Sequence, residues 1–359
     1  MNLLNTDLAA FVIALIATLS LTVPVRSLAL HYGLVDHPGP RKVHLKPIPL
    51  MGGIAIYLGF ILAMWVTRHH FPRLQVAAIA LGATLVVAVG FLDDRGLLHH
   101  QVKLFVGMPL AALILIASGI RAQLFSRFVP GTPGVVLDLC FTVFWVVGIT
   151  AAFSILDHMD GLCAGIAAVA AAFFTLAAIL NGQIMVRTLG AAVLGAALGF
   201  LRWNFNPAKI FMGDGGAMLL GFLMATLGLK VRPEGIAFPI DWLIPILILG
   251  VPIFDTSLVS ISRTRRGLLP FTSPGKDHTA HRLSNLGLGH RGGVLVLYCM
   301  GALFGGLALL VPHLSPRLAY SLAAILIAGG WAMVFLFECV AYERQEKAQG
   351  SARKTQSQP

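Results

Sequence analysis

Eleven apolar runs separated by short polar loops make up most of this 359-residue chain. They cover roughly residues 7–30, 50–67, 75–92, 104–118, 137–156, 162–180, 187–203, 215–229, 240–261, 294–312 and 318–340. In hydrocarbon a run of this kind has one open-chain solution. A helix satisfies its own backbone N–H and C=O groups where no water can. About 20 residues, rising about 1.5 Å each, cross a core roughly 30 Å thick. Composition agrees, with 57% hydrophobic and only 11% charged residues, against about 25% charged in soluble domains. The expected fold is all-α: a polytopic integral membrane protein of about eleven transmembrane helices, or ten if one of the weakest segments, the fourth and the eighth, does not span. Residues 1–342 form one transmembrane domain in this reading, and the polar stretch 343–359 is a disordered tail. The first run lacks a basic leader and continues to Leu30, so a cleaved signal peptide is not expected. Cys140, Cys163, Cys299 and Cys339 lie in or beside apolar runs at no metal-ligand spacing and read as small core residues.

Sorting the loops by parity separates their chemistry. One set comprises 31–49, 93–103, 157–161, 204–214, 262–293 and the tail. With its flanking helix ends this set holds roughly 18 of the 26 Lys and Arg, which the positive-inside rule places in the cytoplasm. The N-terminus is then outside and the C-terminus inside. The same loops hold Asp93, Asp94, Asp157, Asp160 and Asp214. The other loops are short and plain. The formal charge of +11 suits anionic headgroups and phosphates. Nucleic acid fits poorly, because no basic stretch is interleaved with aromatics on a soluble domain.

The stretch Asn204–Gly216, NFNPAKIFMGDGG, is too varied for a simple turn. Asp214 stands between Gly213 and Gly215, on backbone that takes tight turns, where a hard cation or a phosphate is the natural partner. Its plainer reading is a helix cap. Asp93 and Asp94 are adjacent at a membrane edge, where charge is costly unless paired or functional. Asp157 and Asp160 are spaced to share one face of a helix end. Lys103 either reaches a phosphate or snorkels to the interface. Arg41, Lys42 and His44, set among four prolines, read as an anion-binding strap or as a positive-inside anchor. Asp255 falls inside an apolar segment, either functional or bonded to a neighbouring helix. His278, His281 and Arg282 sit close together in a basic loop. A zinc site would need more ligands than this spacing offers, so these side chains read as donors to a sugar or diphosphate. The pattern suits group transfer between a soluble nucleotide and a lipid, which needs charge neutralisation more than a covalent nucleophile. No P-loop is present in the sequence. The rival class is a transporter, which would place its charges near mid-bilayer, or a paralogue that binds lipid or nucleotide without chemistry.

These motifs resemble those of the polyprenyl-phosphate N-acetylhexosamine-1-phosphate transferases. The matching pieces are GLVDHPGPRKVHLKPIPLMGG, GFLDDR with Lys103, LDHMDGL, NFNPAKIFMGDGG, PIFDT and DHTAHRL, in family order from residue 33 to about 293. The resemblance implies a catalytic domain that transfers a sugar 1-phosphate from a UDP-sugar to a polyprenyl phosphate, undecaprenyl or decaprenyl, at the inner membrane, releasing UMP. It implies Mg²⁺, or Mn²⁺ in its place. It makes Asp214 a metal ligand with Asp160 in support, Asp93 the base on the prenyl phosphate, and Asp94, Asp157 and Asp160 members of the catalytic set. Arg41, Lys42, His44, Lys103, Ser154, Asn206, Phe211, His278, His281 and Arg282 would contact substrate. The His-x-x-His-Arg pattern favours UDP-GlcNAc over other UDP-N-acetylhexosamines or UDP-MurNAc-pentapeptide. A homodimer is left open. Two positions depart from the family: Ser154 stands where Asn is usual, and His158 where Gly or Asn is common.

Overall fold

The computed structural model describes residues 3–37, 47–98, 100–233, 239–269, 275 and 277–338. Arg41, Lys42, His44 and the tail 343–359 lie outside the described residues. The elements run in order α1 (Leu3–His31), β1 (Val35–Asp36), β2 (Ile48–Pro49), α2 (Gly52–Thr67), α3 (Arg73–Asp94), α4 (His100–Val102), α5 (Met108–Ala117), α6 (Thr132–Leu156), α7 (Leu162–Leu180), α8 (Ile184–Asn204), α9 (Gly213–Lys230), α10 (Leu243–Ile248), α11 (Gly250–Arg265), α12 (Thr279–Leu283), α13 (Gly289–Leu310) and α14 (Pro316–Leu336). A π-helical stretch, Lys103–Gly107, joins α4 to α5. The two strands form a short antiparallel pair, Val35 opposite Pro49.

Each of the eleven apolar segments has a helical counterpart. Eight helices are long and apolar enough to cross a membrane, and α10 with α11 makes a ninth if that pair, bent by 77°, is one span. The chain is an all-α, polytopic membrane protein. The fourth and eighth segments fall outside those eight. The fourth corresponds to the shorter apolar helix Lys103–Ala117. The eighth is α9, whose 18 residues begin Gly213-Asp214 and end on Lys230.

Helix α9 is the axis of the bundle. Every residue from Gly215 to Leu229 is buried, and α2, α3, α6, α7, α8 and α10 all pack against it. A helix apolar all round suits a core enclosed by other helices as well as a span facing lipid, and α9 is the enclosed kind. Its N-terminal turn is held close by glycines. A Cβ at Gly53 of α2 would run into the backbone of Gly216, and one at Gly90 of α3 into that of Gly215. Small residues at such crossings let helix backbones approach and deepen their van der Waals contact.

The loops separate in space as they do in charge. At one end of α9, Lys103 meets Asp93, Asn206 meets Asp160, and Arg26 Nε donates to the Lys209 carbonyl at 3.0 Å. At the other end Lys230 bonds Gln75 at 2.7 Å, and Gln183 bonds the Arg232 carbonyl. The two ends are about 27 Å apart along an 18-residue helix.

One expected substrate contact is corrected by the packing. Arg282 is fully buried. Its guanidinium donates to the carbonyls of Asp277 and Phe337, each at 2.8 Å, to Ser262 Oγ at 3.0 Å and to Glu338 Oε1 at 2.7 Å. It ties α12 to α11 and to the end of α14, because a buried guanidinium must find a carboxylate and enough acceptors. Beside it Asp277 bridges Arg263 at 3.0 Å and Arg266 at 2.5 Å. Burial works against the Asp277 charge, but hydrogen bonds and charge from Arg263, then Arg266, bring its carboxyl down to about 2.

Two outcomes test this architecture. Gly53→Val forces α2 from α9 and should destabilise the fold by about 1–3 kcal/mol, seen as a lowered melting temperature in detergent. Gly148→Ala, exposed with open space around it, should not lower it. Arg282→Met leaves the buried Glu338 with the exposed Arg265 as its remaining cation, strips the Phe337 and Asp277 carbonyls of their donor, and should cost about 3–5 kcal/mol, read in the same way.

Candidate active site

Asp214 opens α9, and its position is built from three directions. The strap leading into α2 pins the preceding residues: Phe211 N donates to Pro49 O at 2.8 Å, while Gly52 N and Gly53 N donate to Phe211 O and Met212 O at 2.9 Å. Phe211 thus enters the site through its backbone. Gly213 has φ +71°, and a Cβ there would meet the carboxylate of Asp94. Only glycine serves at such a position. Asn204, buried at the end of α8, accepts from Gly161 N and donates to Ile210 O, both at 3.0 Å. One side chain therefore joins the loops that carry Asp160 and Asp214.

The acids converge. Lys103 Nζ donates to Asp93 Oδ2 at 2.6 Å and also to Asp214 Oδ2. Ser154 Oγ donates to Asp214 Oδ1 at 3.0 Å. Asp94 accepts the N–H of Asp214 at 2.9 Å and, more weakly, that of Gly215 at 3.5 Å. It caps α9 from another helix, where the helix dipole favours an anion. Asp160 Oδ2 accepts from Asn206 Nδ2 at 2.9 Å and from Ala208 N at 3.0 Å. Arg291 fixes Asn206 in turn, through the Asn206 carbonyl at 2.8 Å and its Oδ1 at 3.2 Å. Asp93, Asp157, Asp160 and Asp214 are half-buried and Asp94 is exposed, so the cluster opens to water.

Asp157 differs from the others. Burial, and then the charges of Asp214, Asp94 and Asp160, push its carboxyl up to about 8. Three like charges act on Asp157, and among the described residues no cation offsets them. The set consists of oxygen donors, the chemistry that suits Mg²⁺ or Mn²⁺. The expectation that Asp157 and Asp160 share a helix face does not hold. Helix α6 stops at Leu156, Asp157 has φ −81° and ψ +58°, and the chain turns through Gly161 at φ +77°. The turn sends Asp157 toward Asp214 and Asp160 toward residues 206–208.

The histidines meet the acids through His158. Its ring stacks on His278 with centroids 3.8 Å apart, and lies 4.8 Å from the ring of His281. His278 Nδ1 is 2.9 Å from Asp255 Oδ2, and Thr279 N donates to Asp255 Oδ1 at 2.7 Å. Asp255 is therefore the buried partner of the histidine turn, the second of its two sequence readings. Burial, then the neighbouring charge of His278, drives the His158 imidazole well below its usual range. The sequence marks Ser154 and His158 as departures from the family pattern but does not show what each touches. Their partners lie 60 and 120 residues away in the chain.

The comparisons with known proteins follow this geometry. The description of Glycosyl transferase family 4 matches residues 76–232, which includes both acid pairs and Asp214. A protein of Bacillus subtilis (strain 168), named probable undecaprenyl-phosphate N-acetylglucosaminyl 1-phosphate transferase, is 36% identical over 324 residues, covering 89% of this chain and 88% of its own. The decaprenyl-phosphate N-acetylglucosaminephosphotransferase of Mycobacterium tuberculosis (strain ATCC 25618 / H37Rv) is 32% identical over 347 residues, covering 88% and 85%. The undecaprenyl-phosphate alpha-N-acetylglucosaminyl 1-phosphate transferase of Escherichia coli (strain K12) is 28% identical over 327 residues, covering 87% and 86%. With the relatives matched along nearly their whole length and the family motifs gathered at one end of the bundle, this chain belongs to glycosyl transferase family 4.

Proposed function

We propose that the protein transfers N-acetylglucosamine 1-phosphate from UDP-GlcNAc to a polyprenyl phosphate, releasing UMP, at the cytoplasmic face of the inner membrane. The observation that carries this reading is the convergence of Asp93, Asp94, Asp157, Asp160 and Asp214 with Lys103 at one end of the membrane bundle. The names of the relatives support the substrates. The excess of Lys and Arg on the same set of loops supports the orientation.

In the reaction an oxygen of the acceptor phosphate attacks the sugar-bearing phosphorus. The bridging P–O bond breaks and UMP leaves with its electron pair. Bound Mg²⁺ would neutralise diphosphate charge, held by Asp214 with Asp160 and Asp157 beside it. Asp93 takes the acceptor's proton when that phosphate arrives protonated. Its assignment over Asp94 rests on the kind of partner each has, since Asp94 is committed to the backbone of α9 whereas Asp93 is bonded to the side chain of Lys103. Lys103 offsets the charge of both Asp93 and Asp214 and is placed to follow charge as it moves between phosphates. Ser154 holds Asp214 in one rotamer, so the small side chain at this position orients a carboxylate and need not reach the nucleotide. His278, set by Asp255, and His281 lie against His158, the residue that follows Asp157.

A transporter is less well supported, because the charges cluster at helix ends and not at mid-span. A non-catalytic paralogue would bind nucleotide or lipid tightly and release no UMP with any sugar.

Purified protein with Mg²⁺ and polyprenyl phosphate should release UMP from UDP-GlcNAc, and a panel of UDP-sugars should rank it first. No release from any member would end the reading. Asp214→Asn should lower kcat by at least about 10²-fold while the melting temperature stays within a few degrees. Full activity in that variant would remove Asp214 from the metal site.

A further inference from the structure

His278 and His281 alone give a cation too few ligands. Folding adds others from distant elements: Asp255 from α11, and His158 from the turn after α6. His158, Asp255 and His278 each present a ligand atom, and these atoms all lie within 4.8 Å of one another. We propose that the three form a second cation site, for a d-block ion of the Zn²⁺ or Co²⁺ kind, distinct from the all-oxygen acid cluster.

The nitrogen atoms carry the argument. His158 Nδ1 lies 3.2 Å from the Ile155 carbonyl oxygen. A carbonyl only accepts, so Nδ1 bears the proton and Nε2 keeps a lone pair. That Nε2 is buried and has no hydrogen-bond partner. A buried acceptor without a donor is costly, and a cation would satisfy it. Asp255 Oδ2 and His278 Nδ1 are already 2.9 Å apart. Two ligands about 2.0–2.1 Å from one tetrahedral ion sit only slightly farther apart than that. Imidazole nitrogen with one carboxylate suits zinc-like ions, whereas Mg²⁺ prefers oxygen and retains its waters.

The rings of His158 and His278 stack at 24° to one another. A metal lies in the plane of an imidazole it binds, so loading draws one ring off the stack. Because His158 follows Asp157 directly, occupancy of this site would shift the turn that carries the acids. The site itself does not depend on the transferase reading.

The test uses tag-free, full-length protein, stripped with chelator and titrated with Co²⁺ in a large excess of Mg²⁺. One equivalent should bind and develop the visible absorption of four-coordinate, nitrogen-ligated Co²⁺. His158→Asn and His158→Gly should each weaken binding by at least about tenfold, with melting temperatures showing that both are folded. Asp214→Asn should retain the signal. Absence of the absorption in the unmodified protein overturns the proposal, as does binding unchanged by both His158 substitutions. Loss of the signal in Asp214→Asn alone would place the ion in the acid cluster and overturn it equally.

Discussion

Carboxylates brought together at the edge of a hydrocarbon layer repel one another, and the structure around Asp214 is organised to offset that repulsion. Each member has a different remedy. Asp93 and Asp214 share the ammonium of Lys103. Asp94 takes the exposed N–H groups at the start of α9. Asp160 is held by an amide and a backbone N–H of the 206–208 turn. Among the described residues Asp157 has no such partner, and burial with the neighbouring carboxylates pushes its carboxyl up to about 8. In the proposed reaction a diphosphate with a divalent ion would complete what the protein leaves open.

That arrangement needs four chain segments within hydrogen-bond reach of one helix end. Glycine makes it sterically feasible. Gly53 and Gly90 admit the backbones of Gly216 and Gly215, and Gly213 takes a conformation that other residues resist. Helix α9 carries no charge between its ends and is enclosed by its neighbours. Rigidity at the core and openness at the rim are two consequences of one packing solution. Asp94 is exposed at the surface of the cluster, while fifteen consecutive residues of α9 beneath it are shut off from solvent.

The histidine turn is attached by a separate device. Arg282 reads in the sequence as one more cation near two histidines. In the fold it is the buried clasp between α11, α12 and α14. Its neighbour His278 points the other way, to Asp255 and His158. Two basic residues four positions apart thus have opposite duties, and nothing local to the sequence separates them. The same is true of Ser154, whose short side chain is right for a carboxylate one helix away.

The sequence by itself determined the class, the helical segments and the division of loops into a rich set and a plain one, because hydrophobic length and charge asymmetry are properties of the chain. It also marked Asp93, Asp94, Asp157, Asp160 and Asp214, since carboxylates beside membrane helices are too costly to be incidental. It could not say which acid pairs with Lys103, that Asp157 and Asp160 diverge, or that Asp255 and His158 meet at His278. Those relations join residues up to 120 positions apart. They are decided by how closely helix backbones can approach and which buried polar groups then face each other, and that exists only once the bundle has packed.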